Sequence, residues 1–146
     1  MDIYNYLKKD HRKVSDLMEQ VVAARSADRR LQIVQKIKQE LLLHAETEQE
    51  TFYAALENEE ETEEEIEMAE EEHEEVKMML NRLTSMSPES DRWLILFGQL
   101  KQAVEHHVKE EEEMIFPKAQ EILSDDEAEE LAEEMDMLKQ EYPQAA

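Results

Sequence analysis

Apolar residues recur along this chain at spacings of three and four, the period of helices that turn one face inward. The first stripe carries Ile3, Leu7, His11, Val14, Met18 and Val21. The second carries Val34, Ile37, Leu41, His44, Glu48 and Ala55, with Phe52 and Leu56 beside the seam. The third runs through Ile66, Ala69, His73, Val76, Leu80 and Leu83, and the fourth through Trp93, Phe97, Leu100, Val104, His107, Glu111 and Met114. Four long helices are predicted. In each, a histidine stands in a slot where the pattern demands an apolar residue.

Turn chemistry marks the boundaries. Ser26 to Asp28 separates the first two helices and offers N-cap residues. Thr62-Glu63-Glu64-Glu65 fits a capping box opening the third helix. Ser87-Pro88-Glu89 puts a cap residue before a proline suited to the first turn of the fourth. Ser124-Asp125-Asp126-Glu127 is a second capping box, opening a short fifth helix with Ala128, Leu131, Met135 and Leu138 on one side; Pro143 is expected to end the ordered chain. Short connections force neighbouring helices antiparallel. The predicted fold is therefore all-α, an up-down-up-down antiparallel four-helix bundle over residues 1–122, followed by a short acidic C-terminal helix and tail over 123–146.

Composition agrees with one helical domain. In 146 residues there are a single Gly and three Pro, too few for a sheet with tight turns. Charge narrows the partners. Sixteen basic against 39 acidic residues give a formal charge of −23, which repels phosphate backbones and anionic lipid, so neither nucleic acid nor membrane is an expected partner. Thirteen glutamates crowd between Glu57 and Glu75 and read as a solvated face with favourable charge near a helix N-terminus. The absence of cysteine removes disulfides, thiolate ligands and iron–sulfur clusters. The first residues lack a basic region followed by an apolar stretch, and no apolar run approaches a membrane span, so a cytoplasmic location is expected.

The histidines carry the chemistry. His44 and His107 each open a His-x3-Glu, closing at Glu48 and Glu111; His11 lies 33 residues before His44, and His73 lies 34 before His107. Residues four apart share a helix face. The chain lengths from His11 to the first turn and from that turn to His44 are similar, so at ~1.5 Å per residue both end at one level. Across the connection near Ser85 to Ser90 the arms are less equal, and an irregular loop or tilt must absorb the rest. Each ionisable group buried without a partner costs several kcal/mol, and six would outweigh the ~5–15 kcal/mol stability of a domain. Coordination to cations compensates them all. Nitrogen and oxygen donors without sulfur suit iron, manganese or zinc, and carboxylates that each bridge two ions favour iron or manganese over a structural zinc. His106 opens another His-x3-Glu with Glu110, one residue out of register, which leaves a slip of one as the alternative; it reads as a boundary residue or one behind the ligands. Tyr4, Tyr6 and Tyr53 read as packing residues, with donation to a bound oxygen species as the alternative, and the nine methionines as core filler.

The order His, His-x3-Glu, His, His-x3-Glu on four helices resembles the hemerythrin-like, HHE cation-binding family of non-haem di-iron proteins. Flanking residues agree: Glu111 is followed by Glu112 and then Ile115-Phe116-Pro117, and Phe52-Tyr53 holds the equivalent place after Glu48. The resemblance covers about residues 2 to 122. A ferritin-like pattern would need Glu-x-x-His twice and finds it only at Glu70 and His73. The resemblance implies His11 and His44 on one iron, His73 and His107 on the other, and Glu48 and Glu111 bridging the pair. Oxygen-carrying hemerythrins have a further ligand histidine four residues along the third helix, where this chain has Lys77, and a bridging aspartate five residues after the fourth-helix histidine, where it has glutamate at four. Reversible oxygen carriage is therefore not the expectation.

With two histidines, two bridging carboxylates and an oxo or hydroxo bridge, each iron would keep about one open position. The expected ligand is a small diatomic or peroxide (O2, NO or H2O2), with peroxide- or NO-directed redox activity and an electron-donor protein as partner. Two other readings fit the same residues: an iron- or oxygen-responsive sensor or interaction module, and divalent-metal storage without catalysis. Whether turnover occurs, and the oligomeric state, are not written in the sequence.

Overall fold

The structure is a computed structural model and describes residues 1–142; Pro143 lies outside them. Its helices are α1 (Ile3–Ala23), α2 (Ala27–Glu48), α3 (Glu63–Ser85), α4 (Asp91–Glu110), α5 (Phe116–Ile122) and α6 (Asp125–Glu141). A π turn at Gln49–Tyr53 extends α2, and another at Glu111–Ile115 joins α4 to α5, so the fourth bundle helix runs on into α5. No strand occurs among the described residues. The architecture is all-helical, with α1 against α2, α2 against α3 and α3 against α4, and with α6 laid on α1 and α2. No described helix is long and apolar enough to cross a membrane.

Two caps are those predicted. Ser26 accepts the Arg29 N–H at 3.1 Å, and Ser124 with Glu127 forms a full capping box. Two differ. Thr62 stands at the N-cap of α3, but its hydroxyl donates to the carbonyls of Leu56 and Glu59 and ties down the preceding loop instead of receiving a helix N–H. α4 opens at Ser90, whose hydroxyl accepts the Trp93 N–H at 3.2 Å. Ser87 to Ser90 is a turn closed by the Ser90 N–H on the Ser87 carbonyl, with Pro88 in the position a turn prefers.

The core explains where the site sits. One apolar cluster gathers Val14, Met18, Ile37, Val76, Leu80, Trp93 and Val104 with their neighbours. The other gathers Ile3, Leu7, Phe52, Ile66, Ala69, Ile115 and Phe116, and α6 adds Ala128, Leu131 and Met135. Along α1 and α3 the chain passes from the second cluster to the first; along α2 and α4 it passes the other way. The changeover falls at His11, His44, His73 and His107, so a polar layer splits the core at one height. Methionines contribute less than expected: Met18 and Met135 are buried, whereas Met1, Met68, Met78, Met114 and Met137 face solvent.

Candidate metal centre

Both His-x3-Glu segments end on a π turn. Such a turn closes from i to i+5, adds one residue and slips the helix face by about 100°. That slip corrects two expectations: Ala55 and Met114, placed on the inward stripes by an unbroken 3.6 period, are exposed. Phe52, Tyr53 and Leu56 are buried after Glu48, and Ile115, Phe116 and Ala119 are buried after Glu111, at the same offsets. The slip lets each glutamate face the polar layer while bulky residues beyond it still reach the core. Thr47 and Thr51, both buried, hydrogen-bond back to the carbonyls of Leu43 and Thr47 through this stretch.

All six expected residues meet. His11, His44, Glu48 and Glu111 offer donor atoms within 4.8 Å of one another, and so do Glu48, His73, His107 and Glu111. The two groups share both glutamates. Glu48 and Glu111 are fully buried. Donor separations are 3.2 Å for His11 Nε2–Glu111 Oε1, 3.5 Å for His44 Nε2–Glu48 Oε1 and 3.4 Å for His73 Nε2–Glu48 Oε1. His107 Nε2 stands 3.6 Å from Glu111 Oε2 and 3.0 Å from His73 Nε2. Two donors on one ion about 2.1 Å away stand roughly 3.0–3.6 Å apart, the edge of a coordination polyhedron.

Hydrogen bonding does not explain the arrangement. His11 Nε2, His44 Nε2, both Glu48 oxygens and Glu111 Oε1 are buried with no hydrogen-bond partner. Orphaned donors of this kind are expensive unless something is held between them. Six nitrogen and oxygen donors, two of them shared carboxylates, fit a pair of cations.

The far ring nitrogens are held from behind. His11 Nδ1 bonds Glu112 at 2.7 Å, His44 Nδ1 bonds Asp10 at 2.8 Å, and His107 Nδ1 bonds Glu72 at 2.8 Å. Carboxylate behind imidazole fixes the tautomer and leaves Nε2 to face the centre. Asp10 is itself pinned by Lys139 Nζ, 2.5 Å away on α6, and the Lys139 ammonium lies 4.6 Å over the Tyr6 ring. His73 differs: its Nδ1 is buried and unpartnered among the described residues, and its ring stacks on Tyr53 with centroids 5.6 Å apart.

Electrostatics follow the geometry. Burial disfavours the charged imidazolium of His44, yet Glu48 and Asp10 outweigh it and raise its pKa to about 10. At 3.5 Å the His44–Glu48 attraction is charge on charge rather than a hydrogen bond. His107 is raised against its own burial by Glu72 and Glu111. Burial alone would raise Glu48, but His44 and His73 pull it well below the ordinary carboxylate range. Asp10 is lowered despite burial, by His44 and Lys139.

Tyr53 is more than a packing residue. Its hydroxyl, buried beside the centre, donates to Glu111, and burial together with Glu111 and Glu48 keeps the phenol protonated far above its usual pKa. Tyr4 packs edge-on against Phe52 and Phe116 as expected, and Tyr6 donates to Asp136 at 3.0 Å. His106 is exposed and sits 3.5 Å from Glu72 and 3.3 Å from Glu110, outside the six-residue cage. Sequence reasoning missed Asp10, Glu72 and Lys139, and named Glu112 only as a flanking residue without a role. A usable signal existed for two of them: Asp10 directly precedes His11 and Glu72 directly precedes His73, and each serves the histidine of the next helix.

A family model described as the hemerythrin HHE cation binding domain matches residues 2–119. A solved structure of a hemerythrin HHE cation binding domain-containing protein from Mycobacterium kansasii superposes with a TM-score of 0.85 at 25% identity, covering 97% of this chain and 86% of that one. Comparison with curated proteins gave no match. With a family match across the bundle and the donor cluster in its polar layer, the chain belongs to the hemerythrin HHE cation-binding domain family.

Proposed function

We propose that the chain is a non-haem di-iron protein in which His11 and His44 hold one ion, His73 and His107 hold the other, and Glu48 and Glu111 bridge them. The observation that carries this reading is the set of buried, unpartnered donors shared between two overlapping groups. Iron is favoured over manganese and zinc because sulfur is absent and bridging carboxylates with several imidazoles suit a redox pair. When bound, the pair supplies open coordination positions and electron transfer to a small molecule.

The protein's own residues set what can reach that pair. A cavity of about 40 Å³ lies against His11, His44, His73 and His107, and its other wall is apolar, including Leu41, Val76, Leu80 and Val104. A space of that size and character admits O2 or NO and resists ions and larger organic molecules. Peroxide is the third small ligand of this class. Tyr53 holds Glu111 by a hydrogen bond and keeps its own proton. Lys77 lines the cavity edge where oxygen carriers of this family place a further histidine, which favours reaction over reversible carriage. Peroxide disproportionation needs no outside reductant, whereas sustained reduction of O2 or NO draws electrons from a donor protein. Storage fits less well, since the cage closes around two positions.

Purified protein should hold close to two irons per chain and show near-ultraviolet absorption in air that dithionite removes. Peroxide should evolve oxygen or bleach that absorption, and NO should alter it. Failure to retain iron, or inertness towards all three small molecules, would overturn the reading.

A further inference from the structure

The two halves of the bundle repeat one another, and the repeat extends behind the six central residues. Asp10 precedes His11 and orients His44; Glu72 precedes His73 and orients His107. Glu112 follows Glu111 and orients His11 at 2.7 Å. The position related to Glu112 by the repeat is the residue after Glu48, and it is Gln49. His73, the histidine it would serve, is the one whose Nδ1 is buried without a partner among the described residues. Gln49 and His73 line the same surface cleft, about 400 Å³ in volume, together with Lys77 and Glu74.

From this broken repeat we infer that the two metal positions are unequal: the His11/His44 position is filled first and held tightly, and the His73/His107 position is the exchangeable one, with Gln49 as the residue that makes it so. The inference rests on the di-metal reading above. Both imidazoles of the first position have a carboxylate behind them, and one of those carboxylates is fixed by Lys139 on α6. In the second position only His107 has one. A carboxylate on the distal nitrogen raises imidazole basicity and fixes ring orientation, and its loss typically weakens metal binding by about 10–100-fold. His73 instead is kept in place by stacking on Tyr53, and its edge faces a cleft open to solvent. Both positions border a surface cleft, His73 one of about 400 Å³ and His11 one of about 320 Å³, so the difference between them lies in the missing carboxylate and not in access. Gln49 is exposed, so replacing it with glutamate does not disturb the core.

The test is a competition titration of metal-free protein with Co(II), with half-loaded protein then read by paramagnetic NMR. Wild-type protein should bind two ions in separate steps at least tenfold apart, with His11 and His44 broadened first. Gln49→Glu should tighten the second step by about tenfold and leave the first unchanged. Glu112→Gln should weaken the first step and bring the two together. Two equal steps in the wild type, filling of His73/His107 first, or a Gln49→Glu protein whose second step does not move would each overturn the inference. Wild-type protein that binds one ion or none would instead sink the di-metal reading itself.

Discussion

Replacing Glu48 with glutamine removes one buried negative charge while keeping the shape of the side chain. In the metal-free protein that charge faces His44 at 3.5 Å and His73 at 3.4 Å. His44 stands at about 10 against an ordinary 6.5, with Glu48 first among the groups that raise it and Asp10 the other. That displacement corresponds to roughly 5 kcal/mol, and a half share for Glu48 gives about 2–3 kcal/mol. The pH window follows from the signs. A histidine raised on folding contributes stability fully present below about 6.5 and lost as pH rises through about 10. A carboxylate lowered on folding contributes stability present above about 4.5 and lost on acidification. Glu48→Gln should therefore cost metal-free protein about 2–3 kcal/mol in denaturant unfolding at pH 7, and the deficit should narrow as pH approaches about 10. A variant as stable as wild type at pH 7, or a deficit undiminished at high pH, would refute the charge-pair account of this layer.

Other perturbations separate the roles of neighbouring residues. Tyr53→Phe leaves a buried Glu111 oxygen without its donor and should cost about 1.5–3 kcal/mol in metal-free protein, measured by the same unfolding assay, while the loaded protein keeps two ions. His106→Ala should change stability by less than about 0.5 kcal/mol and leave metal content at two by elemental analysis, because His106 is exposed and lies outside the cage. His107→Ala, in the same assay, should lose at least one ion. Because His44 and His107 hold protons more firmly than free imidazole, metal must displace them, and affinity in a competition titration should climb with pH from neutral towards about 10. A flat profile would show that those protons are not in the way.

Much of this was legible before any coordinates. Four histidines and two glutamates stood in apolar slots, and burial of ionisable groups is costly enough that their convergence followed from the pattern alone. What the pattern concealed has physical causes. Ala55 and Met114 were placed inward because a 3.6 period assumes an unbroken α-helix, and a π turn leaves no distinctive residue type behind. Ser87 was taken for a cap because Ser-Pro suits both a helix start and a turn, and only the backbone decides. Tyr53 was taken for packing since a buried ring looks the same whether or not its hydroxyl is used. Glu72 was lost among thirteen glutamates between Glu57 and Glu75. Lys139 reaches Asp10 across 129 residues of chain, a distance over which side-chain periodicity says nothing.

The central claim is that six inward donors hold two ions between them. Crystals of iron-loaded protein, measured for anomalous scattering at the iron absorption edge, test it most directly. The account predicts two peaks in the layer between the two apolar clusters, with Glu48 and Glu111 reaching both, His11 and His44 on one, and His73 and His107 on the other. A single peak, none, or imidazoles turned away from that layer would contradict it.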